Sequence, residues 1–119
     1  MLLLRAVVVV LVVRIALFGG GARAAKRAGR FVARGTGQHP VDRLAWAVAV
    51  AGAYIPRITC LTQALALQAM LARAGHWCRV EIGIVKDTAL QAHAWVVAGD
   101  RIVLGGTDVE RYCPIGTLE

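Results

Sequence analysis

Carboxylates are scarce in this chain of 119 residues: seven Asp and Glu stand against 14 Lys and Arg, a formal net charge of +7. Such an imbalance favours an acidic partner, whether nucleic acid, an anionic lipid surface or an acidic peptide. Aromatic residues are also few, at 6%, and Trp and Tyr do not interleave with the basic residues. With no RNP, zinc-finger or helix-turn-helix pattern either, nucleic acid is disfavoured and a membrane surface or a peptide fits better. Cysteine is limited to Cys60, Cys78 and Cys113, an odd number with no CxxC. That argues against a disulfide framework. The three His and three Cys never cluster at ligand spacing, so neither a metal nor another cofactor is expected. A cytoplasmic chain with one reactive thiol follows, Cys78 and Cys113 being inert. A long uninterrupted apolar run is lacking too. Arg5 and Arg14 confine the N-terminal run to Ala6–Val13, whereas a bilayer crossing needs about 20 apolar residues. Arg14 lies inside the region where a secretory signal should be uncharged, although Ala22-x-Ala24 would pass as a cleavage site. An amphipathic or buried helix with its arginines reaching to one edge is the favoured reading, with a signal or anchor as the alternative.

What is abundant is apolar: 58% of residues are hydrophobic, and the mean hydropathy is +0.62. The length supports one compact core, preceded by an apolar and basic helical region over residues 1–40, with the core proper over 41–119. Arg23, Lys26, Arg27, Arg30 and Arg34 recur at three- and four-residue steps, which on a helix gives one cationic face suited to phosphate headgroups or an acidic peptide, or simply to solvent. Asp42 is placed to cap a second helix running to about Ala53, with Leu44, Val48 and Ala51 inward and Trp46 anchoring that face. Thr59 caps a third helix, Cys60–Ala74, apolar nearly all round and closed by Gly75. Residues 77–85 alternate as a strand, 93–98 and 101–104 form two more around the turn Gly99-Asp100, and the tail from Asp108, with Pro114 and Gly116, reads as irregular.

The chemistry-bearing pair is Cys60 and His93. The helix dipole and free amides at a helix N-terminus favour a thiolate, and a His on a following strand is suited to take up the thiol proton and return it to a leaving group. A cysteine nucleophile performing acyl transfer or peptide hydrolysis is the expectation. Its plain alternative is that both residues are core filler, free Cys being among the most buried residue types.

The stretch Ile58-Thr59-Cys60-Leu61-x-x-Ala64-Leu65-Ala66, then Leu71-x-Arg73-x-Gly75, then Val80-x-Ile82-Gly83-Ile84-x-Lys86, then Ala92-His93-Ala94-Trp95-Val96 resembles the transglutaminase-like leader peptidase of lasso-peptide biosynthesis, over about Val41 to the C-terminus. The resemblance implies an α+β, papain-like cysteine protease fold: N-terminal helices and a central Cys-bearing helix packed on a small antiparallel sheet. It implies removal of the leader from a ribosomally made precursor by a Cys-His-Asp triad, with Cys60 as nucleophile and His93 as base. The acid departs from the pattern. Across a two-residue hairpin at Gly99-Asp100, Gly105 falls opposite Ala94, where a carboxylate would best orient His93. Asp108 is the nearest substitute, Asp100 is too distant by strand rise, and a backbone carbonyl is the other option. No leader-recognition domain has room here, so the resemblance is to the split form, which implies a separate recognition protein and a separate lasso cyclase as partners, with peripheral membrane contact through the N-terminal helix left open. Two other classes compete: another transglutaminase-like acyl transferase, and a non-catalytic, basic, membrane-associated scaffold.

Overall fold

The computed structural model describes residues 2–34, 38–55, 59–86, 90–106 and 112–118. Three helices, α1 (Leu2–Val32), α2 (Val41–Tyr54) and α3 (Cys60–Arg73), precede four strands, β1 (Arg79–Lys86), β2 (Leu90–Ala98), β3 (Arg101–Leu104) and β4 (Cys113–Leu118). The strands form one antiparallel sheet in the order β3-β2-β1-β4.

Helix α1 is two arms. Gly21 leaves helical geometry at φ 80°, ψ −172°, a backbone region open to glycine. The second arm turns back antiparallel to the first. A Cβ on Gly29 would lie 2.8 Å from Val13 Cγ2 and 3.3 Å from Ala69 Cβ, and Arg5 donates to the Arg34 carbonyl at 2.8 Å. Glycine at 29 therefore lets three helices approach one another. Ala6, Val9, Val10 and Val13 of the first arm and Ala25 and Ala33 further on are buried in the same core as Leu44 and Val48 of α2 and Leu65, Leu67, Met70 and Leu71 of α3.

Helix α3 is the hub. Nine consecutive or near-consecutive positions from Thr62 to Leu71 are buried, because α1, α2 and the sheet surround it. Its end is a Schellman motif: His76 N–H donates to Leu71 O at 2.8 Å and Gly75 N–H to Ala72 O at 3.2 Å, with Gly75 at φ 88°. The sheet presents Val80, Ala94 and Val96 to the helical core. Alternation turns Glu81, His93 and Trp95 to the opposite face, with Glu81 paired to Trp95 and Gly83 to His93.

Four expectations need correction. Helix α2 is capped by Pro40 without a side-chain bond, and Asp42 instead pairs with Arg101 at 2.8 Å, tying α2 to β3. Trp46 is 54% exposed, since the inward stripe of α2 is completed by small Ala45, Ala47 and Ala51. The tail is not irregular: β4 pairs with β1, absorbing Pro114 and Gly116 at a register shift between Ile82 and Gly83. The β2–β3 hairpin carries a bulge, so Val96 pairs with Leu104 rather than with Val103, and the register that would set Gly105 opposite Ala94 is displaced by one residue.

Candidate active site

Thr59 fixes the start of α3. Its Oγ1 accepts the Thr62 N–H at 3.2 Å and lies 2.9 Å from Thr62 Oγ1, satisfying one of the donors that open a helix. Cys60 is therefore the first residue of the helix, half-buried, at the end where amides and the dipole present partial positive charge. Its sulfur accepts the backbone N–H of Ala94 at 3.4 Å. Among the described residues β3 pairs with β2 over Val96–Ala98, and Ala94, which precedes that stretch, has no β3 residue paired to it.

His93 sits one residue earlier on β2. Its Nε2 lies 2.7 Å from the Gly105 carbonyl oxygen. A carbonyl only accepts, so Nε2 carries the proton, and in the neutral ring Nδ1 is left as the acceptor. The carbonyl reaches the ring because Gly105 turns the chain at φ 76°, and a Cβ there would stand 2.9 Å from Ala94 O and 3.4 Å from His93 Nε2. Both the conformation and the space call for glycine.

Cys60 and His93 line the same small cavity, about 90 Å³, completed by Leu61, Ile82, Ala92 and Ala94. The walls other than the dyad are hydrocarbon and backbone. The thiol rests on the strand amide, and Cys60 and His93 both border this cavity. A thiol at a helix N-terminus, an imidazole held through one nitrogen and nearby N–H donors are groups that thiol-mediated acyl transfer can use.

Behind His93 lies an aromatic support. Its ring centroid is 5.2 Å from that of Tyr112 and 5.9 Å from that of Trp95, both tilted. Trp95 is buried and donates its indole N–H to Glu81 at 2.9 Å, and Glu81 in turn faces Arg79 at 3.6 Å. The support needs Gly83 bare, since a Cβ would stand 2.8 Å from Trp95 Cη2 and 2.9 Å from Tyr112 Cβ. The His-x-Trp spacing could have placed Trp95 beside His93 by strand alternation. Tyr112 carried no comparable signal, lying in a segment whose residues disfavour a strand.

Asp108 falls within residues 107–111, outside the described residues. Cys78 is buried, which pushes its thiol up to about 11, Lys26 partly opposing the shift. It is a protonated, poorly nucleophilic thiol at neutral pH.

The family profile described as the transglutaminase-like superfamily matches residues 3–117. No curated protein and no solved structure matches the chain. The match spans nearly the whole sequence, including both arms of α1, and the chain belongs to the transglutaminase-like superfamily, a group consistent with cysteine peptidase or acyltransferase chemistry.

Proposed function

We propose that this transglutaminase-like protein is a cysteine peptidase that removes the leader from a ribosomally synthesised lasso-peptide precursor. The observation that carries the reading is that Cys60 and His93 border one cavity, with the imidazole tied through Nε2 to a main-chain acceptor, which leaves Nδ1 as the acceptor nitrogen. The ordered sequence set around Cys60 and His93 is what supports a lasso-precursor substrate over the other reactions of the superfamily.

In this reading His93 Nδ1 takes the Cys60 proton as Sγ attacks the carbonyl carbon of the last leader residue. The oxyanion that forms meets the Cys60 amide at the N-terminus of α3. The imidazolium returns its proton to the departing nitrogen, the C–N bond breaks, and a thioester to Cys60 remains. Water, deprotonated by the same imidazole, attacks the thioester, releasing the leader as a carboxylate and restoring the thiol. The amine freed on the core peptide is the group a separate cyclase joins to an Asp or Glu side chain, and a separate protein presents the leader. The Gly105 carbonyl holds the tautomer but brings no full charge to stabilise the imidazolium. Asp108, three residues beyond it, is the candidate carboxylate for that role.

The test is cleavage of precursor by the protein with its recognition partner, followed by mass spectrometry. Cys60→Ala and His93→Ala are each expected to lower the rate by about 10³-fold or more, because members of a cooperating set fail together, with circular dichroism unchanged. Asp108→Asn lowers it less if the carboxylate supports the imidazolium. Full cleavage by folded Cys60→Ala ends the proposal. Transfer of the leader acyl group to an added amine in preference to water would assign the site to an acyl transferase.

A further inference from the structure

Leu4, Val8, Leu11, Ile15 and Phe18 follow one another along the first arm of α1 at four- and three-residue steps, which places them in one stripe. All five are exposed, reaching 71% at Ile15 and 97% at Phe18 beside the bend. The opposite stripe, Ala6, Val9, Val10 and Val13, is wholly buried. The arm is thus apolar on two sides while the fold covers one. The uncovered side is bordered by arginines: Arg5 shares a shallow apolar depression with Leu4, Val8 and Val32, and Arg14 shares another with Leu11, Ile15 and Phe18.

Charge says what the uncovered side faces. Residues 1–41 hold seven of the 14 Lys and Arg and no Asp or Glu, so the whole excess of +7 lies in this part of the chain. Arg14, Arg23, Arg27, Arg30 and Arg34 are exposed. We infer that the α1 hairpin is a membrane-docking element: its first arm lies in the plane of an anionic phospholipid surface, with Leu11, Ile15 and Phe18 among the acyl chains and the arginines on the phosphate headgroups. A partner helix with acidic flanks would suit the same stripe; the lipid surface is favoured because arginines border the apolar stripe with no carboxylate anywhere in residues 1–41, the pattern that anionic headgroups attract. Contrary to the expectation drawn from Arg5 and Arg14, the segment Leu2–Gly21 is by length and composition apolar enough to cross a bilayer, with a mean hydropathy of 2.5 over an 18-residue window. Crossing would pull Ala6, Val9, Val10 and Val13 out of the core, so the arm lies on the membrane rather than through it. This inference is independent of the proposed peptidase activity.

The full-length protein is tested by co-sedimentation with phosphatidylcholine vesicles made with and without phosphatidylglycerol, across a salt series. Binding is expected to the anionic vesicles and to weaken with salt. The double variant Ile15→Gln/Phe18→Gln, altered only at exposed positions, loses at least about ten-fold in binding, and Arg23→Gln and Arg27→Gln lose about five-fold each, with circular dichroism unchanged. Wild-type protein left in the supernatant, or folded Ile15→Gln/Phe18→Gln bound as tightly as wild type, overturns the inference. So does a stripe variant that loses a soluble protein complex by size exclusion while vesicle binding is unaffected, since that assigns the face to a protein.

Discussion

Two cysteines of this chain illustrate how placement rather than residue type decides reactivity. Cys60 opens a helix and faces a cavity, whereas Cys78 is buried with its thiol held up near 11. The raised value also couples to stability. Above the ordinary thiol range near 9 the unfolded chain releases the Cys78 proton while the fold retains it, so stability is intact below about pH 9 and declines as pH rises toward 11. Holding the proton over that range is worth about 2–3 kcal/mol to the fold at neutral pH, relative to strong alkali. Urea titrations at pH 8 and pH 11 should show a smaller pH-dependent loss for Cys78→Ala than for wild type, and iodoacetamide at pH 8 should modify Cys60 while the Cys78 peptide stays unmodified, read by mass spectrometry. The Cys60 and His93 positions were readable from the sequence because a helix start and a strand each announce themselves locally. Of their supporting groups, a backbone carbonyl for His93 was among the options the sequence offered, and Gly105 O fills it; the geometry that brings the groups together was not readable. The Gly105 carbonyl, the Ala94 amide and the Tyr112 ring owe their positions to a bulge and to strand pairing across the chain, which local patterns do not encode.

Among the elements, α3 was the most legible. Its cap at Thr59, its apolar circumference and its closure at Gly75 are all local signals, and the structure has each of them. Strand β3 likewise occupies 101–104, framed by a glycine turn on one side and a glycine bend on the other. Elements whose residues oppose their conformation were not legible. Strand β4 contains Pro114 and Gly116, both poor strand residues, and exists because β1 offers it an edge. Asp42 has the chemistry of a cap but finds Arg101 instead. The helix start matters beyond stability, since Thr59 fixes the residue next to the thiol. Thr59→Ala should cost about 1 kcal/mol in urea unfolding and lower kcat more than KM in the cleavage assay, because a frayed first turn misplaces both Cys60 Sγ and its amide.

At the scale of the whole molecule, the N-terminal forty residues and the remainder are one hydrophobic core, and the family match from residue 3 to 117 runs through both. The three fully buried valines of the first arm alone are worth about 1.5–3 kcal/mol each, together comparable to the roughly 5–15 kcal/mol by which domains are stable. A chain lacking residues 2–20 should therefore show no cooperative urea transition, whereas a dispensable appendage would leave the midpoint unchanged. The order of synthesis gives this arrangement a further meaning. The first arm leaves the ribosome before its packing partner α3 has been made, and about fifty residues separate the end of one from the end of the other. At about 5–20 residues per second the arm waits on the order of 3–10 seconds with its valine face uncovered. During that interval both of its apolar sides are open to any greasy surface near the exit tunnel. Under the membrane-docking proposal, contact with lipid precedes folding, and the nascent chain completes its core already at the bilayer surface.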